Sequence, residues 1–325
     1  ELGWRKLTLS TGQIAEQASA AVMAKYGETV VLVTVVSSPL KQDYDYLPLD
    51  IEYRERLYAG GKIKGSRWVK REGRPSDDEI LTGRFIDRSI RPLFSKDYRE
   101  EIQIVITVLS VDLENSPDIV SAIAASAALA ISPIPWSGPV GIVRVGMKDD
   151  NSYLANPQGS EPSLSGLDLV VAGTPDAIVM IEAEAREISE DKVVAGIDYA
   201  QQEIKRVIDF IKDFSQAVGV KKMVLKEEVV DSDLSSKVKK LVGREMSALI
   251  RKMASKEAGM KEYEELKEGV GESLAEEDRA QGKAVFEELF GDEVRKTIFS
   301  GKRLDGRNLK EIRELSASVG ILPRT

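Results

Sequence analysis

At 325 residues the chain is long enough for two domains and a fragment of a third, and its 42% hydrophobic and 31% charged residues are those of an ordinary soluble globular protein. It contains neither cysteine nor histidine, which excludes disulfides, thiolate and imidazole metal sites, a cysteine nucleophile and any triad built on a histidine base; chemistry is left to carboxylates, Lys, Arg, Ser, Tyr or a carboxylate-held ion such as magnesium. The net charge of −8 argues against nucleic acid wrapped over the whole surface but leaves room for a local basic patch, no apolar run reaches the ~18 residues of a membrane span, and the opening ELGWRKLTLSTG lacks the apolar core of a signal peptide.

Residues 1–220 read as one α+β unit. KLTLST (6–11) alternates with period two, as a half-buried strand does. AAVMAKYGETVVLVTVVSS reads as two strands joined at Gly27-Glu28, a hairpin signal. LPLDIEYRERLY (47–58) and EIQIVITVLSVD (101–112) are further strands, and PDIVSAIAASAALAIS (117–132) is a helix of small residues suited to close packing. VGIVRVGM, DLVVAGT and AIVMIEAEA give three more strands, and a long helix runs from Ser189 to Val218. From 221 to 300 strand signals vanish. SSKVKKLVGREMSALIRKMASKEAG and EEDRAQGKAVFEELFGDEVRKTIFS carry apolar residues at helical spacing, which predicts an all-helical domain. Residues 301–325 restart a strand-like pattern and stop, as the beginning of a further, truncated domain would.

One segment stands apart from the acidic whole. Gly61–Arg71 holds Lys62, Lys64, Arg67, Lys70 and Arg71 around Trp68, with no acid at all. Directly after it, Ser76 and Glu79 have capping-box spacing, predicting a helix from Asp77, and Asp77, Asp78 and Glu79 suit the positive end of its dipole. Arg84, Arg88 and Arg91 fall at i, i+4, i+7 on one face, while Leu81, Phe85 and Ile86 should pack inward on another. Loop and stripe together suit several phosphates of one strand, because Arg binds phosphate with paired hydrogen bonds and Trp68 offers a face on which a base stacks. The plainer alternative is that Asp87, three residues after Arg84 and four before Arg91, absorbs the stripe in intrahelical pairs, that Glu72 and Arg74 pair locally, and that the loop is merely solvated. Weaker signals are set aside: GGKIKGSR lacks the Gly-Lys-Ser/Thr order of a phosphate loop, and Asp43, Asp45 and Asp50 read as surface charge. Asp168, inside the apolar run GLDLVVAG, needs a hydrogen-bonding or arginine partner.

KREGRPSDDEILTGRFIDRSIRPLF, VLSVDLENSPD, GPVGIVRVG and LDLVVAGT closely resemble the first half of the bacterial polynucleotide phosphorylase family, and GKRLDGRNLKEIRELSASVGILPRT resembles the start of that family's second catalytic-fold domain. The resemblance covers essentially the whole chain. It implies a first RNase PH-like domain of the ribosomal protein S5 domain 2-like class (1–220), an all-helical domain (221–300) and the opening of a second RNase PH-like domain (301–325). It further implies phosphate-dependent 3′-to-5′ degradation of RNA to nucleoside diphosphates, reversible as a polymerase, with inorganic phosphate as co-substrate. Mg2+ or Mn2+ is expected outside this segment. Expected partners are single-stranded RNA, two further copies in a homotrimer and components of an RNA-degradation complex, in the cytoplasm, with neither DNA nor membrane.

In the family the loop before REGRP projects into a central channel with paired aromatics followed by paired basic residues. Here Lys70 and Arg71 match the basic pair, Trp68-Val69 stand where two phenylalanines are usual, and the segment is one residue longer, with Arg67 extra. The expected RNA contacts are therefore Arg67, Trp68, Lys70 and Arg71, with Arg84, Arg88 and Arg91 binding phosphate or locking an interface. No catalytic residue is expected. ENSPD (114–118) stands where the family's catalytic copy has a serine-rich loop, and Asp168 matches the second metal-binding aspartate, but Pro162 replaces the first and Val170 replaces the lysine two later. Two alternatives stay open: a naturally short, noncatalytic binding or assembly protein, and a degenerate domain that keeps weak activity through Asp168.

Overall fold

The structure is a computed structural model that describes residues 2–3, 5–40, 42, 44, 46–63, 73–95, 98–159, 166–225 and 232–324, without the side chains of Ser232, Arg244 and Lys256. The chain divides into two compact units, 1–227 and 228–325.

The first unit is built from two sheets and the helices between them. Strands β1 (Leu7–Ser10), β2 (Ala20–Tyr26), β3 (Thr29–Pro39), β4 (Leu49–Glu55) and β5 (Glu100–Ser110) form the first sheet in the order β1-β2-β3-β5-β4. All neighbours are antiparallel except β4 and β5. Period-two alternation sets one face: Val31, Val33 and Val35 stand opposite Val108, Ile106 and Ile104, and all six are fully buried. Helix α1 (Asp77–Ile90) packs along β4. Helix α2 (Pro117–Ile131) opens with proline at its first position, where the missing N–H is not needed. Every residue from Ile119 to Ile131 is buried, and its alanines and serines let it sit closely on β2 and β3.

The second sheet, β6 (Gly141–Met147), β7 (Tyr153–Ala155), β8 (Leu167–Gly173) and β9 (Ile178–Ala185), is antiparallel throughout in the order β7-β6-β8-β9. The three residues of β7 carried no sequence signal of their own; they pair with the end of β6 by closing the turn at 148–152. Helix α3 (Glu190–Val218) covers β6 and β8 with the stripe Ala200, Ile204, Val207, Ile208 and Ile211, and packs on α2. Both helices thus lie between the two sheets, and α2 touches the second sheet at β6 as well as the first. The chain after α3 closes the carboxyl end of α2: Val220 N–H donates to Ile131 O at 3.1 Å, and Lys222 Nζ to Leu129 O at 2.6 Å. Burial pushes the Lys222 amine down to about 8.

The second unit contains α4 (Ser232–Lys252), α5 (Lys256–Glu272) and α6 (Arg279–Phe299), each packed on the other two. Leu234, Val238, Val242, Met246 and Leu249 form the buried seam of α4, and Tyr263 sets its ring 4.9 Å from Phe290 and 5.4 Å from Phe286. The continuous helical pattern over 235–259 is broken at 253–255, where the chain turns so that α5 can fold back against α4. The strand-like pattern of 301–325 does not become a strand among the described residues: 301–324 hold no regular element, and Leu315 and Val319 are exposed. A strand needs a neighbour for its backbone groups, and this unit offers no sheet edge among its described residues. Nor is any described helix long and apolar enough to cross a membrane.

Candidate nucleic-acid interface

Arg67, Trp68, Lys70 and Arg71 lie outside the described residues. What is described is the chain on either side of them. On the entry side, β4 ends at Glu55 and a 3-10 turn follows over Leu57–Gly60. That turn is fixed to the end of β5 by Val111 N–H donating to Ala59 O at 3.0 Å, and Lys62 N–H folds back to Leu57 O at 3.0 Å. On the exit side, the Ser76 hydroxyl accepts from Glu79 N–H at 3.2 Å, and Glu79 Oε2 accepts from Ser76 N–H at 2.7 Å. This is the capping box that the S-x-x-E spacing announces. The spacing does not announce that Glu79 Oε1 also accepts the N–H of Glu55, at 2.8 Å. One carboxylate therefore joins the end of β4 to the start of α1. Burial opposes its ionisation, but the backbone N–H groups of Ser76 and Glu55 outweigh that and hold the Glu79 carboxyl below its usual range.

The three stripe arginines go to three different places. Arg91 is held within the protein: Nε and Nη2 reach both oxygens of Asp87 at 2.8 and 2.7 Å, Nη1 donates to Leu47 O at 2.9 Å, and Nη2 donates to Leu49 O at 3.0 Å. Asp87 thus pairs with Arg91, one of the two partners its spacing allowed. Arg88 reaches Glu182 on β9 at 2.5 Å, with both side chains more than half exposed. Arg84 makes no ion pair among the described residues and lines a groove of about 510 Å³ between β4 and α1, with Ile51, Arg54, Ile80 and Glu79. The common helix face is real, but protein partners occupy two of its three guanidinium groups. Leu81, expected inside, is 58% exposed, whereas Phe85 and Ile86 are buried. It stands at i, i+3 and i+7 with Arg84 and Arg88, so it shares their exposed face of α1 rather than the buried one.

Asp168 finds the arginine partner its burial demands. Arg144 on β6 donates from Nη2 to Asp118 Oδ2 at 2.9 Å and sets Nε 3.4 Å from Asp168 Oδ1, close enough for ion pairing but without a hydrogen bond. Asp118 and Arg144 escaped the sequence reading; the signal available was a single charge in the apolar run GIVRVG, whose cross-strand pairing brings Gly146, two residues on, opposite Asp168. Burial pushes the Asp168 carboxyl up, Arg144 draws it back, and Asp118, Glu184 and Glu182 push it up again. A pocket of about 270 Å³ beside it is lined by Arg144, Gly159, Asp168, Glu184 and Arg186. This is a poor seat for a divalent ion, because a guanidinium already faces the carboxylate and no group of three acidic or imidazole ligands is assembled among the described residues. Pro162 lies outside the described residues, and Val170 is buried in the core.

The stretch 112–118 is acid-lined. Asp112 accepts the N–H groups of Glu28, Glu114 and Asn115 at 2.9, 2.9 and 2.8 Å and the Thr29 hydroxyl at 3.1 Å. The Ser116 hydroxyl donates to Asp118 at 2.5 Å. The one serine of ENSPD is thus committed to a carboxylate, among Asp112, Glu114 and Asp118, which is no cradle for phosphate.

Comparison with known proteins agrees with this layout. Residues 3–135 match the model of the 3′ exoribonuclease family, domain 1, and residues 138–203 match that of the same family's domain 2. The division falls between α2 and β6, where the first sheet with its helix gives way to the second sheet. A polyribonucleotide nucleotidyltransferase of Rhodospirillum centenum is 42% identical over 99% of this chain and 46% of its own length. That of Desulforamulus reducens is 43% identical over 100% of this chain and 45% of its own. The chain therefore spans a little under half the length of these curated relatives. Among solved structures, rice (Oryza sativa) Rrp46 superposes with a TM-score of 0.54 at 15% identity, covering 66% of this chain and 96% of that one, a likeness of fold.

Proposed function

The chain belongs to the 3′ exoribonuclease family, and from that premise we propose that it is the RNA-guiding, scaffold-forming part of a polyribonucleotide nucleotidyltransferase. The parent would degrade single-stranded RNA from its 3′ end with inorganic phosphate, releasing nucleoside diphosphates, and would run in reverse as a polymerase. In this reading residues 1–220 are a noncatalytic RNase PH-like copy, 221–300 a helical domain and 301–325 the start of a second RNase PH-like domain. The metal-assisted bond breaking lies outside this segment. The parent is a cytoplasmic homotrimer with a basic channel.

The observation that carries the reading is the acid-free sequence Gly61–Arg71, whose flanking elements β4 and α1 are tied by hydrogen bonds. Five cations around one indole suit a flexible polyanion with stacking bases. The remaining features fit a non-catalytic role. Asp168 answers to Arg144, and the only hydroxyl of ENSPD answers to Asp118. Among the described residues Arg84, lining the groove between β4 and α1, is the stripe arginine without an ion pair and so the one offered to a phosphate; Arg88 and Arg91 pair with Glu182 and Asp87.

The test is single-strand RNA binding as a function of salt. Each cation that neutralises a phosphate contributes about 0.7 to the slope of log affinity against log salt for single strands. Replacing Lys70 and Arg71 by alanine is expected to weaken binding and reduce the slope by about 1.4. A slope equal to that of the unaltered chain would remove the loop from the RNA interface.

A further inference from the structure

We propose that one face of α4, marked by Lys237, Lys240 and Arg251, is a second contact surface for single-stranded RNA, built into the helical unit. Only the choice of RNA as the polyanion rests on the function proposed above; the surface itself stands on the residues of α4. That helix holds six cations and two acids, in a chain of net charge −8. Helix α5 has the reverse bias, with three cations and six acids. Lys237, Lys240 and Arg251 fall at i, i+3 and i+14, within about 60° of one another around the helix, and no acid shares that face between them. The buried seam of Leu234, Val238, Val242, Met246 and Leu249 lies on the other side, so packing on α5 and α6 leaves all three cations exposed.

Charge pairing separates this face from the rest of the unit. Lys252, Lys261, Lys267, Lys283, Arg295 and Lys296 each stand within ion-pair distance of a carboxylate. Lys237, Lys240 and Arg251 make no ion pair among the described residues. Asp233, one turn before Lys237, sits in the first turn of the helix, where the dipole favours a carboxylate. From Lys237 to Arg251 the face runs about 21 Å, the length of about six stacked nucleotides. A row of unpaired cations along a helix is the footprint of a nucleic-acid backbone. A membrane surface does not suit it, because an interfacial helix needs a free apolar face and that of α4 is buried in the core of its unit.

The experiment measures binding by the full chain as a function of salt, with poly(A) as the probe and polyglutamate as a second, peptide polyanion. The Lys237→Ala, Lys240→Ala pair is expected to lower the poly(A) salt slope by about 1.4, and addition of Arg251→Ala to lower it by about 0.7 more. A control pair, Lys261→Ala and Lys296→Ala, takes the same charge from α5 and α6 and is expected to leave the slope unchanged. Alanine suits exposed helix positions, and the urea midpoint shows that each variant is folded. An unchanged slope in the α4 pair overturns the proposal. Equal losses in the α4 pair and the control also overturn it, by reducing the effect to net charge. Loss of polyglutamate binding with the poly(A) slope intact would identify an acidic protein as the partner and overturn it too. The Lys70→Ala, Arg71→Ala pair separates this inference from the proposed function. If that pair alone loses slope, the α4 face is no contact and only this inference falls; if the α4 pair alone does, the face stands and the Gly61–Arg71 reading falls. If neither pair loses slope, both fall.

Discussion

Gly27 turns the β2–β3 hairpin with φ at +62°, and its α-carbon faces the carboxylate of Asp112. A Cβ there would lie 2.6 Å from Asp112 Oδ2 and overlap the Asn115 amide, so both backbone conformation and space demand glycine. Gly27→Ala is expected to destabilise the protein by about 1–3 kcal/mol, read as a lower midpoint in urea unfolding. Asp112 is the other half of this corner. Burial opposes its charge, but the N–H and side-chain amide of Asn115 and the N–H groups of Glu28 and Glu114 hold its carboxyl well below the ordinary range. A carboxyl depressed in the folded state stabilises fully above its unfolded value of about 4, and that contribution is lost as pH falls below it towards the folded value. Asp112→Asn should therefore lose stability at neutral pH and show a shallower fall between about pH 4 and 2 than the unaltered chain. The turn at Gly27-Glu28 was legible as a dipeptide between two apolar runs. Asp112 was not, because two of its partners come from more than eighty residues away and only the folded hairpin brings them near.

At the scale of elements, α1 does more than present arginines: it pins the free edge of β4 at both ends. Arg91 takes the carbonyls of Leu47 and Leu49, Glu79 takes the N–H of Glu55, and between them Gly83 lies so close that a Cβ would sit 3.2 Å from Ile51 O. An edge strand left open is a template for pairing with another chain, and here a helix flanks it. Arg91→Ala is expected to cost about 1–3 kcal/mol, since it removes a donor from two carbonyls and from Asp87, and to raise concentration-dependent association in light scattering. Arg88→Ala removes an exposed pair with Glu182 and should cost less than about 1 kcal/mol in the same unfolding assay. Equal losses would contradict the different roles assigned to two arginines on one face. Helical spacing made that face legible in the sequence; the partners lay on β4 and β9, whose positions are tertiary facts. Leu81 was misplaced by the pattern itself: apolar, but phased with Arg84 and Arg88 on the exposed face.

At the scale of the molecule, the charge distribution is the main argument. A chain of net charge −8 keeps five cations in eleven residues without one acid. The local patterns carried most of the first unit: long runs with clean period two or 3.6 became strands and helices close to where they were expected. They failed for 301–324, where alternation alone cannot make a strand without an edge to join, and for β7, too short to have a period. The central claim is that this segment holds RNA while bond breaking occurs elsewhere in the parent enzyme. The most direct measurement follows both quantities on one sample: the chain, end-labelled poly(A), inorganic phosphate and magnesium, with filter retention of RNA and chromatographic detection of nucleoside diphosphate. The account predicts retained RNA that weakens with salt and no nucleoside diphosphate above the protein-free control. Release that grows with protein concentration, and with time, would contradict it.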